Sequence, residues 1–335
     1  MDNLNSYNLS RSWFEWSFNN PEIVKPIHSA IYFFAIEHCN RLGWKEKFGF
    51  PSQMVMEAIG VKNWRTYSKA LNDTEEMILY LKLSNNLKVN ILNELIAEKK
   101  ISNQISLEKA RINSKEIKKN DIFFAIKGKK NDGSKFINEA YRKKSSMMIT
   151  HKLDKVIPLS RQVRVNDTLN FLTECATDYR KNINTNIIGI TGSCGKTTLK
   201  ELLGKGLAKI TKTYFSPKSF NNKFGLPLSL FNLKQNVNFG VFEVGMDRKG
   251  EIDYLSKILK PNLGIITNIS YAHSKNFENI KGIANAKSEL IDNITNNGSI
   301  ILNKDDQFFN FLKNKSKKKN LNVYAFSLVK NNNCY

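Results

Sequence analysis

The sequence predicts an α/β protein: a phosphate-binding loop set in a mostly parallel sheet, preceded by an additional, mainly helical segment. Three observations predict it. The β-branched run "NIIGI" (186–190) leads through "TGSCG" into "KTTLKELLGKGLAKI", which has helical periodicity. Two further runs, "FGVFEVG" and "LGIITNIS", read as short buried strands, each ending on polar residues at the edge where parallel sheets place their ligands. All four tryptophans (Trp13, Trp16, Trp44, Trp64) fall in the first 64 residues, in stretches of helical spacing.

Taken in order, the 335 residues suit two or three domains. The first 82 carry nine Lys/Arg against nine Asp/Glu, so the whole formal charge of +22 lies beyond them. The tryptophan and charge shifts together predict a boundary within 72–84, giving segments 1–76, 77–160 and 161–335, with Met77 opening the second. In the first, "PIHSAIYFFAIEHCNRLG" reads as a helix ending on Gly43, and "PSQMVMEAIGVKNWRTYSKALND" (51–73) as two short helices turning at Gly60. The spacing of Ala58, Gly60, Val61 and Leu71 resembles a winged-helix DNA-binding module. Its second helix would then bring Lys62, Asn63, Arg65, Thr66 and Lys69 toward phosphates and base edges. A small helical packing domain fits the same residues, and the zero net charge of the segment suits it.

Much of the basic excess sits in Lys/Asn tracts such as "KNKSKKKN" (313–320), which read as solvated surface and would also draw an anionic substrate. No apolar run approaches the ~20 residues of a membrane helix. No leader pattern opens the chain, so a cytoplasmic setting is expected. Cys39, Cys175, Cys194 and Cys334 form no CxxC pair, which suits reduced thiols.

The loop itself is of the short G-x-x-G-K-T-T kind; the first Gly of the longer pattern would fall on Ile190. Gly192 and Gly195 let successive amides turn toward phosphate oxygens, and Ser193, Cys194 and Thr198 complete the stretch. Lys196 would reach the β- and γ-phosphates, and the Thr197 hydroxyl would face Mg²⁺. Glu243, at a strand end, is placed to hold the same ion directly or through water. His273 follows another strand end, five residues after Asn268.

These stretches resemble the Mur ligases, ATP-dependent amide-forming enzymes of cell-wall precursor synthesis, and within them the D-alanyl-D-alanine-adding branch. The resemblance rests on "TGSCGKTTLKE", "NNKFGLPLSL", "EVGMDRKGEI", "TNISYAH", "ANAKSEL" and "LNKDD". It implies ATP and Mg²⁺ as cofactors, catalytic roles for Lys196, His273 and Lys287, and carbamylation of Lys287. Thr197 and Glu243 would hold one metal ion, His273 and Lys287 a second. Asn303 would face the adenine, and Asn221 and Asn222 the substrate. Residues 110–150 resemble the family's small α/β N-terminal domain, which holds a UDP-sugar. There its usual D-S-R reads Asn113-Ser114-Lys115, and its D-G-x-x-F reads Asp132, Gly133 and Phe136. Lys115 keeps the charge of the usual Arg without its bidentate fork.

By this resemblance the reaction joins D-alanyl-D-alanine to a UDP-MurNAc-tripeptide through an acyl phosphate, in a monomer. The ~140 residues after the loop are fewer than the family's central domain carries. An incomplete sheet, no C-terminal domain and no turnover by this chain alone are therefore expected. Two other readings stay open: a DNA-binding regulator or replication module with a degenerate ligase tail, and another Mur-type ligase, adding a diamino acid or polyglutamate.

Overall fold

In the computed structural model, residues 6–41, 52–86, 108–128, 131–271 and 276–328 are described. They fall into two compact units, one holding 6–41, 52–86 and 112–168, the other 108–111 and 169–328.

The first unit opens with four helices: α1 (Ser6–Asn19), α2 (Pro26–Arg41), α3 (Ser52–Ala58) and α4 (Trp64–Asn86). Asn63 caps α4, its carboxamide oxygen accepting the amides of Arg65 (2.9 Å) and Thr66 (3.2 Å). Lys62 and Asn63 therefore precede the helix on which the sequence reading placed them. Ile31, Val55, Tyr67 and Ala70 close the core between α2, α3 and α4. Trp13 stacks on Tyr32 with ring centroids 4.1 Å apart, and Trp16, Met77 and Leu159 join that cluster. The boundary expected at Met77 falls inside α4, where that side chain is 3 % exposed.

After the short strand β1 (Ala110–Arg111), the strands β2 (Ile122–Phe124), β3 (Met147–Thr150) and β4 (Gln162–Arg164) run parallel, with α5 (Ile137–Arg142) between β2 and β3. Phe123, Ala125, Ile137, Ala140 and Met148 form their core. Arg164 of β4 donates to Asn20 Oδ1 at 2.9 Å, tying the strand to the helical segment.

The second unit carries α6 (Thr168–Lys181), whose first residue belongs to the other unit, and β5 (Asn186–Thr191). There follow α7 (Lys196–Ala208), β6 (Thr213–Phe215), α8 (Gly225–Phe231), β7 (Phe239–Glu243) and α9 (Glu251–Leu259). The last elements are β8 (Leu263–Ile266), α10 (Ile280–Asp292), β9 (Ser299–Asn303), α11 (Phe309–Lys318) and β10 (Asn322–Phe326). All six strands are parallel, in the order β10-β9-β8-β5-β7-β6. Ile187, Ile188 and Ile190 of β5 are buried because parallel strands are covered on both faces. From β5 the chain passes to β6 and then β7 on one side and crosses to β8 on the other, so the loop after β5 opens at a switch point. The expected α/β class, parallel sheet and helical N-terminal segment are all present. No helix among the described residues is long and apolar enough to cross a membrane.

Candidate active site

The loop 192–195 runs from the C-terminal end of β5 to the N-terminus of α7. Gly192 has φ +150°, and a Cβ there would stand 1.9 Å from Thr267 Oγ1. Gly195 has φ +79°, the left-handed turn that starts α7. The segment after β8 grips the loop. Ser193 N donates to Asn268 O (2.9 Å), Cys194 N to Asn268 Oδ1 (3.0 Å), and Thr267 Oγ1 to Cys194 O (2.6 Å). Ser193 Oγ donates to Ser270 O and accepts from Ser270 N, both at 2.9 Å. Asp306, just past β9, accepts Ile269 N at 2.6 Å and holds that segment in turn. The loop is thus a preorganised concavity at a helix N-terminus, the setting in which backbone amides and the helix dipole favour an anion. Lys196 Nζ lies over it, donating to Gly192 O (2.8 Å) and Ser193 O (3.3 Å).

Glu243, the last residue of β7, is 2 % exposed and accepts two hydrogen bonds. Thr197 Oγ1 donates to Oε2 and Asn221 Nδ2 to Oε1, each at 2.7 Å. Asn222 instead caps the first turn of α8, accepting the amides of Phe224 (3.1 Å) and Gly225 (3.0 Å). Lys287 rises from α10, 1 % exposed, with no hydrogen bond among the described residues. Burial, reinforced by the charge of Lys196, pulls its amine down to about 7. Gly192, Lys196, Asn221, Glu243 and Lys287 line one cavity of about 570 Å³, which extends toward Phe224, Met246 and Tyr254.

A second cluster lies in the first unit. Ser114 Oγ donates to Glu139 Oε2 (2.7 Å), and Lys143 Nζ bridges Glu139 Oε1 (2.9 Å) with the carbonyls of Ser114 (3.0 Å) and Lys115 (3.2 Å). The Lys115 side chain is exposed. Asp132 accepts Ser134 N (2.9 Å) and faces His151 Nε2 at 3.4 Å. Burial works to raise its carboxyl, but the Ser134 hydrogen bonds, His151 and Lys127 outweigh it and hold it below the ordinary range.

The residues expected at the phosphate site, Gly192 through Thr197 with Glu243 and Lys287, are brought together. Thr198 is exposed on the first turn of α7. Asn303 closes β9, its side chain accepting Asp305 N at 3.0 Å. His273 lies outside the described residues. Three residues that hold the site were not singled out from sequence: Thr267 and Asp306, which fix the loop, and Lys200. The glycine at 204, four residues on from Lys200, was the available signal that this helix face packs tightly.

Residues 190–335 match the Mur ligase middle domain. The chain is 34 % identical over 227 residues to a UDP-N-acetylmuramoyl-tripeptide–D-alanyl-D-alanine ligase of Rickettsia prowazekii, covering 68 % of this chain and 50 % of that one. To the enzyme of that name from Buchnera aphidicola subsp. Acyrthosiphon pisum it is 36 % identical over 219 residues, covering 65 % and 47 %. Among solved structures it is similar to MurF from Acinetobacter baumannii, with a TM-score of 0.62, 28 % identity and coverage of 71 % and 52 %. A MurF ligase from Thermotoga maritima in complex with ADP gives a TM-score of 0.58 at 30 % identity, covering 66 % and 50 %. The chain spans about half the length of the relatives it matches.

Proposed function

We propose, for a chain whose residues 190–335 are a Mur ligase middle domain, that it belongs to an ATP-dependent amide ligase joining D-alanyl-D-alanine to a UDP-MurNAc-tripeptide. The observation that carries the reading is the convergence of Lys196, Glu243, Asn221 and Lys287 on one cavity at a helix N-terminus, with Thr197 hydrogen-bonded to Glu243. Transfer of ATP's γ-phosphoryl group to the tripeptide carboxylate, and attack of the dipeptide amine on the acyl phosphate, need chiefly alignment and charge neutralisation. Lys196 and the loop amides supply the second. Ser114, Lys115, Asp132 and Gly133 are assigned to the UDP-sugar end, Asn222 to the substrate side of the cavity, and Asn303, with Thr198 nearby on α7, to the nucleotide.

Mg²⁺ fits the donor set. Thr197 Oγ1 and Glu243 Oε2 are two hard oxygens 2.7 Å apart, one of them a carboxylate. Bound there, the ion would offset phosphate charge. Lys287, as a carbamate, would add a further carboxylate for a second ion with His273; its lowered pKa supports this, because only the neutral amine takes up CO₂. Free Cys39, Cys175 and Cys194 suit a cytoplasmic, reducing setting, with the chain as a monomer.

Calorimetric titration with Mg·ADP tests the nucleotide site. We expect saturable binding that weakens at least about tenfold in Lys196→Ala and Thr197→Ala, in line with loss of a charged hydrogen-bonding group. No binding by the wild-type chain overturns the reading. Phosphate release by the chain completed with the remaining half of a relative, in assays pairing UDP-MurNAc-peptides with D-alanyl-D-alanine or a diamino acid, separates the D-alanyl-D-alanine ligase from the other Mur-type readings.

Contact with duplex DNA through residues 51–73 is a separate proposal, favoured by the exposure of Lys62, Arg65 and Lys69, the last two at i and i+4 on α4. Fluorescence anisotropy across a salt series decides it, since phosphate contacts weaken as salt rises.

A further inference from the structure

Lys200 lies one turn beyond Lys196 on α7 and is 0 % exposed. A lysine is seldom buried unless its ammonium is satisfied. Here Nζ donates to Ser216 O (2.7 Å) and Lys218 O (2.5 Å) and pairs with Glu201 Oε1 (3.2 Å), one acceptor for each of its three protons. Lys200 in turn holds the Glu201 carboxyl below its ordinary range.

The two carbonyls belong to the turn that leaves β6 and leads to Asn221. Lys218 within it has φ +51°, a left-handed conformation that a residue with a Cβ adopts at a cost. The helix sits close against β6 at this point, because a Cβ on Gly204 would come within 2.5 Å of the Phe215 ring. The Ser216 side chain contributes nothing to the lock: its buried hydroxyl has no partner among the described residues.

We infer that Lys200 is a positioning residue that pins the Ser216–Lys218 turn to α7, and so sets Asn221 on Glu243 and Glu243 on Thr197. One helix thereby presents Lys196 and Thr197 on its first turn and, through Lys200 on its second, orders the loop that completes their partner set. The functional meaning rests on the nucleotide-site reading; the geometric claim does not. Lys200→Met keeps the apolar stem but removes both hydrogen bonds to the turn, one of them to the carbonyl of buried Ser216, so the turn loses its anchor while its strained residue remains.

Hydrogen–deuterium exchange on the full chain tests this with Lys200→Met, Lys200→Met/Lys218→Gly, and Ser216→Ala as the control that keeps the accepting carbonyl. We expect roughly tenfold faster exchange across 216–225 in Lys200→Met, with β5 and β8 amides unchanged. Lys218→Gly, which relieves the left-handed strain, should restore most of the protection, and Ser216→Ala should match wild type. Mg·ADP affinity should fall and recover in the same order. Unchanged exchange at 216–225 in a folded Lys200→Met overturns the inference, as does an even loss of protection across the whole unit. If Lys200→Met does not fold, the double variant decides: refolding supports the pin, and failure to fold overturns it. A wild-type chain that binds no Mg·ADP removes the nucleotide reading, while the exchange data still judge Lys200.

Discussion

Lys287 shows how one buried side chain couples the site to pH. Its amine titrates near 7 in the fold against 10.5 for a solvated lysine. Between those values the unfolded chain binds the extra proton, so stability rises with pH across 7–10.5, and the burial penalty is fully present below 7. Lys287→Met should therefore be more stable than wild type by roughly 2–4 kcal/mol at pH 6, with the gap closing toward pH 10.5. Urea titrations in carbonate-free buffer check this; parallel pH profiles would refute it. The loop glycines make a second contrast. Gly192→Ala would drive a Cβ into Thr267 and should cost more than about 3 kcal/mol, whereas Gly195→Ala meets no neighbouring atom and should cost only the left-handed penalty of about 1 kcal/mol. Equal losses in chemical denaturation would show that the Thr267 contact is not what demands Gly192. The loop was legible because its residues are contiguous and flanked by a strand and a helix. Lys200 was not: in a Lys-rich chain one helical lysine looks like any other until its acceptors, 16 and 18 residues away, are known.

At the level of elements, periodicity placed β5, β7 and β8 well, because runs buried on both faces need no partner information to be recognised. The start of α4 was misplaced because Asn63 acts as a cap, a role decided by two amide hydrogen bonds rather than by apolar spacing. Pairing between distant elements was least visible. Glu289 of α10 accepts the amides of Gly250 (2.9 Å) and Asp253 (3.0 Å), so one helix caps the N-terminus of α9 while carrying Lys287 two residues earlier. A carboxylate there satisfies unpaired amides and opposes the positive end of the helix dipole. Glu289→Ala should cost about 1 kcal/mol, and Glu289→Gln less, since the amide oxygen still accepts. Thermal unfolding of the two variants measures the order; a Gln variant as unstable as Ala would mean that charge, not capping geometry, holds the helices together.

For the whole molecule, composition and packing divide the chain differently. Tryptophan content and charge change near residue 77 because the helical segment has its own amino-acid usage, and usage carries no record of what a segment packs against. In the fold, Trp13, Trp16, Tyr32 and Met77 share one cluster with Leu159, and Arg164 of β4 bonds to Asn20. The helices and the small parallel sheet are therefore expected to unfold together. Trp13 is 0 % exposed, so Trp13→Ala should remove about 3–5 kcal/mol from this unit. A self-standing helical module would confine that loss to α1–α4. A shared core must spread it to β3 and β4, whose amides should exchange faster in the variant, while β5, β7 and β8 of the other unit keep their protection. Exchange confined to α1–α4 would make the helical segment a separate folding unit, as a domain boundary near residue 77 requires.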